Sequence, residues 1–198
     1  MKMTRRPFLL TPALLLICIT LLATTAAAQS KASAAQNYFT DVELVNQDGK
    51  VMRLYSDLMK DKVVIINAFF TSCTSVCPPM TANLAKVQAA LGDRVGKDVY
   101  MLSISVDSAT DTPPRLKAYA EKFKARAGWF FLTGKKENVE FALRKLGQFV
   151  EDKNDHTTII IIGNLRTGLW KKAFGLAKTD ELMKVIESVV NDNPASSK

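Results

Sequence analysis

The alternation of apolar and polar positions divides the chain into strand-like and helix-like runs. "FTDVELVNQDGKVMRL", residues 39–54, carries a turn-forming Asp48-Gly49 at its middle and predicts a hairpin. "VVIINAFF", 63–70, is a continuous apolar run of strand length, the pattern of a strand buried on both faces. Across residues 78–91, Met80, Leu84, Val87 and Leu91 recur at helical spacing, with proline in the first turn and Gly92 beyond the last. "VYMLSISV", 99–106, is a second buried strand. A helix then starts after Thr112, with Leu116, Tyr119 and Phe123 on one face. "WFFL" reads as a short strand, and Val139, Leu143 and Leu146 align along a helix stopped by Gly147. "TTIIIIG" and "LWKKAFG" are strands joined by the turn "NLRTG", an amphipathic helix follows over 180–190, and 192–198 is a polar tail.

Strands alternating with helices predict an α/β sandwich: a central mixed sheet flanked by helices, with a β-hairpin at each end. Its expected extent is residues 38–191, one domain, after a polar entry segment over 29–37. A chain of 198 residues with 47% hydrophobic content has enough apolar surface for such a core. Residues 1–28 read as a targeting segment: Lys2, Arg5 and Arg6 in front, "FLLTPALLLICITLL" in the middle, and small residues before a cut between Ala28 and Gln29. The alternative is retention as an anchor helix, since residues 8–28 approach the ~20 residues that span a bilayer. Both readings export the remainder and place it in the periplasm, or facing it from the inner membrane. Loss of the segment removes three basic residues and no acid, so the net charge falls from +8 to +5. The remaining charge is scattered in pairs such as Lys135-Lys136 and Lys171-Lys172. No basic run interleaved with aromatics appears, and nucleic-acid binding has no support.

Export changes the meaning of the cysteines. Cys18 sits in the targeting segment behind Ile17 and reads as apolar filler, which leaves Cys73 and Cys77 in "FFTSCTSVCPPMT". A structural disulfide there would close a tiny loop and remove little entropy from the unfolded chain. A redox pair and a metal site remain. The pair lies between a buried strand and its helix, where open α/β sheets bind ligands. A thiol at a helix start also meets unpaired N–H groups and a dipole that favour thiolate. His156, the only histidine of the chain, precedes the strand over 158–162. In a sheet of this order that loop comes to lie beside the cysteine loop. Two thiolates and one imidazole suit Cu(I), and with a further ligand Cu(II). Structural zinc would want a fourth protein ligand, and the exported part has no other cysteine or histidine. Asp155 is a candidate orienter of the imidazole, or a turn cap.

"FFTSCTSVCPPMTANLAKVQ", "LSISVDSATDTPPRLKAYAEKF", "GWFFLTG" and "DHTTIIIIGNLRTG" together resemble the Sco/SenC family of thioredoxin-like proteins, in order and spacing over roughly residues 40–190. The resemblance implies a thioredoxin-like fold, copper binding, and delivery of copper to the binuclear CuA centre of cytochrome c oxidase. It implies as partner the copper-bearing subunit of that oxidase or a similar copper enzyme, beside other copper or thiol-redox proteins. Carried over, the family's metal ligands fall on Cys73, Cys77 and His156. Thr74 and Ser75 stand where the family commonly has proline and aspartate, and the return turn "GNLRTG" also departs from the common type. Neither change removes a ligand.

The second reading is a thiol-disulfide oxidoreductase using Cys73 and Cys77 as a redox pair on the acceptor's cysteines. Against it, the spacing is one residue longer than CxxC, and no proline stands near His156 and Thr157. A third reading is a copper or redox sensor. Met80 lies on the helix's apolar stripe and reads as core, Asp107 and Asp111 as turn and cap residues, and Phe69, Phe70 and Trp170 as core or rim.

Overall fold

The computed structural model describes residues 34–193. The targeting or anchor segment over 1–28, the start of the entry segment and the tail from 194 lie outside the described residues. Seven strands form one open sheet: β1 (Glu43–Asn46), β2 (Val51–Arg53), β3 (Val63–Phe69), β4 (Val99–Ser105), β5 (Trp129–Thr133), β6 (Ile159–Asn164) and β7 (Leu169–Phe174), in the order β2-β1-β5-β4-β3-β6-β7. β3, β4 and β5 run parallel, while β6 is antiparallel to β3 and β7 to β6. β1 and β2 form the N-terminal hairpin, added antiparallel to β5. The expected mixed sheet with a hairpin at each end is what the chain forms.

The buried runs divide their side chains between the two faces with period two. Val63, Ile65 and Phe69 face the cluster made with α2 (Cys77–Leu91), α3 (Pro113–Lys122) and α5 (Thr179–Val190). Val64, Ile66 and Ala68 face the other cluster, covered by α4 (Lys136–Lys145) and a π-helical turn, Leu54–Met59. Helices on both faces explain why β3 and β4 are apolar without alternation.

Two elements carry no clear signal in the sequence. Residues 34–39 form a short helix, α1, which starts in the segment read as polar entry, 29–37, and runs into the stretch read as the first hairpin. Phe39 anchors it, with its ring 5.5 Å from that of Trp170. The π-helical turn follows β2 directly and buries Leu54, Tyr55, Leu58 and Met59. Its apolar positions fit neither a strand nor an α-helix of ordinary length.

β2 and β7 are the edges of the sheet, and Lys171 and Lys172 on β7 are exposed. Among the described residues no helix is long and apolar enough to cross a membrane.

At the start of β5, Gly128 takes a left-handed φ of +92° and packs against Gly96; an added Cβ would stand 2.2 Å from the Gly96 nitrogen. Gly128→Ala combines left-handed strain with backbone overpacking and should lower the unfolding free energy by about 3 kcal/mol. Denaturant titration of the two chains measures it, and an unchanged midpoint would show that the Gly96–Gly128 contact is not tight in solution.

Candidate metal centre

β3 delivers the chain to the site. Beyond Phe69 the backbone turns at residues 70–73, where the Cys73 N–H donates to the Phe70 carbonyl at 3.2 Å, and α2 begins at Cys77. Pro78 and Pro79 follow, and neither has an N–H to donate. No side chain of the N-cap residue Val76 caps this helix. The Cys77 N–H instead donates to the Cys73 sulfur at 3.4 Å, so that sulfur serves as acceptor for the helix start. The Ser75 hydroxyl lies 3.8 Å from the same sulfur.

His156 arrives on the loop that enters β6, the strand next to β3. A single 3-10 turn, Lys153–Asp155, precedes it, and the loop then enters β6. The ring is buried, 8% exposed, and Nδ1 lies 2.9 Å from the Lys153 carbonyl oxygen. A carbonyl only accepts, so Nδ1 carries the proton, and in the neutral ring Nε2 presents its lone pair. That lone pair faces the Cys77 sulfur at 3.0 Å, an arrangement in which the thiol donates to the ring. Asp155 is exposed, and the orienting acceptor is the Lys153 backbone instead. The ligand-type atoms of Cys73, Cys77 and His156 all lie within 4.8 Å of one another. Their burial argues against a surface-loop histidine.

The two thiols differ in acidity. Burial pushes Cys73 up, but hydrogen bonds from the Cys77 side chain and backbone and from Ser75 outweigh it and hold Cys73 below the ordinary thiol value. Cys77 is pushed up to about 12 by burial first, then by its side-chain hydrogen bond with Cys73 and the proximity of that sulfur. The helix start therefore favours thiolate at Cys73 alone. One sulfur is ready to react and the other keeps its proton.

Asp107 and Asp111 do more than form a turn. The Asp107 carbonyl accepts from the Thr110 and Asp111 N–H groups, as a turn residue would, but its carboxylate accepts from Lys153 Nζ at 2.7 Å. Burial raises its pKa, and hydrogen bonds from Lys153 and Thr110 more than reverse that, leaving the group more acidic than usual. Asp111 is fully buried and does not cap α3. It accepts from the Thr71 N–H at 3.0 Å, from the Thr71 hydroxyl, and from the Ser105 hydroxyl at 2.6 Å. These roles were hidden because a "DSATD" string looks the same in any polar turn. The usable signal was Ser105, a hydroxyl closing a largely apolar strand. Met80 is fully buried in the core, as its helical spacing indicated. Phe70 packs edge-on against the His156 ring, with centroids 5.2 Å apart.

The SCO1/SenC family model matches residues 27–191. A SCO1 protein homolog of Bacillus subtilis is 36% identical over 118 residues, which is 58% of this chain and 60% of that relative's length. Among solved structures, BsSco, a member of the Sco family of cytochrome c oxidase assembly proteins in which a disulfide switch was identified, is 31% identical. It superposes with a TM-score of 0.60 over 74% of this chain and 89% of its own. Yeast Sco1 with copper bound, 23% identical, superposes with a TM-score of 0.63 over 79% of this chain and 95% of its own, a likeness that concerns the fold. With a sheet of thioredoxin-like order and a family match across nearly its whole length, the chain belongs to the SCO1/SenC family.

Proposed function

We propose that this chain binds copper through Cys73, Cys77 and His156 and delivers it to the CuA centre of cytochrome c oxidase during assembly. The observation that carries the reading is the convergence of these three buried donors, Cys77 and His156 being 79 positions apart in the chain, within 4.8 Å. Two sulfurs and one imidazole nitrogen form a soft donor set that favours Cu(I) over harder ions. The copper-bound yeast structure and the oxidase-assembly role of BsSco's family support the same cargo and acceptor class. We also propose that residues 1–28 export the domain, as a cleaved signal or a retained anchor, so that the site faces the periplasm.

The geometry supplies an order of events. Cys73, the more acidic thiol, engages copper first. Cys77 then gives up its proton, because a thiol that ligates a metal is deprotonated outright. His156 turns to copper the lone pair that its Nδ1–H···O bond has already aimed. Release reverses these steps, with an acceptor thiolate replacing the protein ligands one at a time.

The asymmetry of the thiols also favours a second reading, reduction of the acceptor's cysteines. In that role the Cys73 thiolate attacks an acceptor disulfide and forms a mixed disulfide. The Cys77 sulfur then attacks Cys73, closing an internal disulfide and releasing the acceptor as a dithiol.

The reduced chain should take up close to one copper, and oxidation of Cys73 and Cys77 to a disulfide should abolish tight Cu(I) binding, as measured by competition with a chromophoric chelator. Retained affinity in the oxidised chain would remove the thiolates from the ligand set.

Alkylation of the metal-free chain against pH should show Cys73 reacting first. Its thiolate fraction grows as pH rises through a value below that of free cysteine, while Cys77 stays protected until strongly alkaline pH. Equal rates at both sulfurs would contradict the electrostatics of the helix start.

His156→Ala separates the two readings. On the delivery reading it should weaken copper binding by about two orders of magnitude, the upper range for disturbed ligation, and leave thiol exchange with a cysteine-pair peptide within a few fold. Intact copper binding with lost exchange would recast His156 as a base for Cys77.

A further inference from the structure

The β4–α3 connection touches both loops that supply the candidate ligands. On one side the Asp111 carboxylate receives both donors of Thr71, two residues before Cys73. On the other side Asp107 pairs with Lys153 Nζ at 2.7 Å, and Lys153 contributes the carbonyl that orients His156. Ser105 joins the two acids: its hydroxyl accepts the Asp107 N–H at 3.0 Å and donates to Asp111 Oδ2 at 2.6 Å. One polar chain thus runs from the histidine loop, through Lys153, Asp107, Ser105 and Asp111, to the cysteine loop. The two ends meet at Phe70, which has the Lys153 ammonium 5.3 Å above its ring and the His156 ring against its edge.

The cost of this arrangement points to a purpose. A carboxylate with no exposure is expensive unless donors satisfy it, and Asp111 has no lysine or arginine among its hydrogen-bonding partners. A turn alone needs none of this, and an exposed aspartate would make it as well. Every partner of Asp111 lies at the end of β3 or β4 beside the cysteine loop, and none belongs to the helix that follows it.

Taking the copper reading as its basis, we infer that Asp107 and Asp111 are positioning residues, the two arms of a clamp. Asp111 sets the cysteine loop, and Asp107, through Lys153, sets the histidine loop. The clamp fixes the spacing of the three ligands before any metal arrives. Neither acid touches the metal position. Ligation distances depend on groups that are themselves held by hydrogen bonds, and loss of such support lowers metal affinity by about 10–100-fold.

The test uses the reduced full chain with Asp107→Asn, Lys153→Met, Lys153→Arg and Asp111→Asn, read first without metal. Because His156 is the only histidine, the ring signals of histidine-labelled protein report that one side chain. Asp107→Asn and Lys153→Met should shift those signals, with thermal unfolding measured alongside to identify any variant that does not fold, because Asp107 is only 10% exposed. Lys153→Arg, which keeps the ion pair, should restore the ring signals. Asp111→Asn should raise the alkylation rate of Cys73 several-fold. Ser105→Ala, which leaves Asp111 both Thr71 donors, should do so more weakly and serves if the asparagine variant does not fold. Copper competition should then show a 10–100-fold loss for the Asp107, Lys153→Met and Asp111 variants. Unchanged ring signals, alkylation and copper affinity in the folded variants would overturn the clamp. An unmodified chain that takes up no copper would overturn the copper reading instead, with the ring and alkylation data still deciding the clamp.

Discussion

Antiparallel pairing of β6 on β3 is the constraint from which the site follows. The register Val63↔Asn164 to Ile66↔Ile161 places the start of β6 toward the end of β3. A parallel β6 would send its preceding loop to the opposite edge of the sheet, some 20 Å away at about 3.3 Å per residue. As it stands, the loop that enters β6 meets the loop that leaves β3, and His156 comes to Cys77 without any long excursion of the backbone. β4, parallel on the other flank of β3, ends at the same level, with Phe69 opposite Ser105. Three loop ends therefore meet at one corner. The apolar runs of β3, β4 and β6 are buried to hold that corner in place.

Much of this was legible because the strongest signals in the chain belong to the elements that build the corner. "VVIINAFF" and "VYMLSISV" admit one reading, and the stripe of Met80, Leu84, Val87 and Leu91 with prolines before it fixes the start of α2 to within a residue. The position of His156 beside the cysteines followed from an assumed sheet order, which periodicity alone does not supply; the family resemblance then pointed to the same three residues. What stayed hidden were contacts made by backbone groups and by short polar side chains. The acceptor that aims the imidazole is a main-chain carbonyl, available at any residue. Asp111 reaches the cysteine loop through Thr71, forty positions away. The helix over 34–39 escaped because six residues with a single buried anchor, Phe39, show no periodicity.

Burial raises both thiols, yet the net shifts are opposite, and the difference lies in the donors around each. Cys73 is placed where the helix start can give it an N–H, and at the more deeply buried Cys77 a backbone hydrogen bond from Phe70 does not offset burial and the neighbouring sulfur. The two prolines sharpen the contrast by taking donors out of the first turn. A sequence with ordinary residues at 78 and 79 would offer more N–H groups there. The reactivity of the pair is thus written partly in residues that carry no reactive group.

The ends of the sheet bear on the life of the protein before it is folded. β2 has three residues and β7 exposes two adjacent lysines, so neither edge offers a long neutral template for strand addition. The most apolar strands, β3, β4 and β6, lie between the edges. A nascent chain emerging among its own copies meets charge repulsion at the edge formed late in the sequence. Self-association through β7 is discouraged by those same lysines.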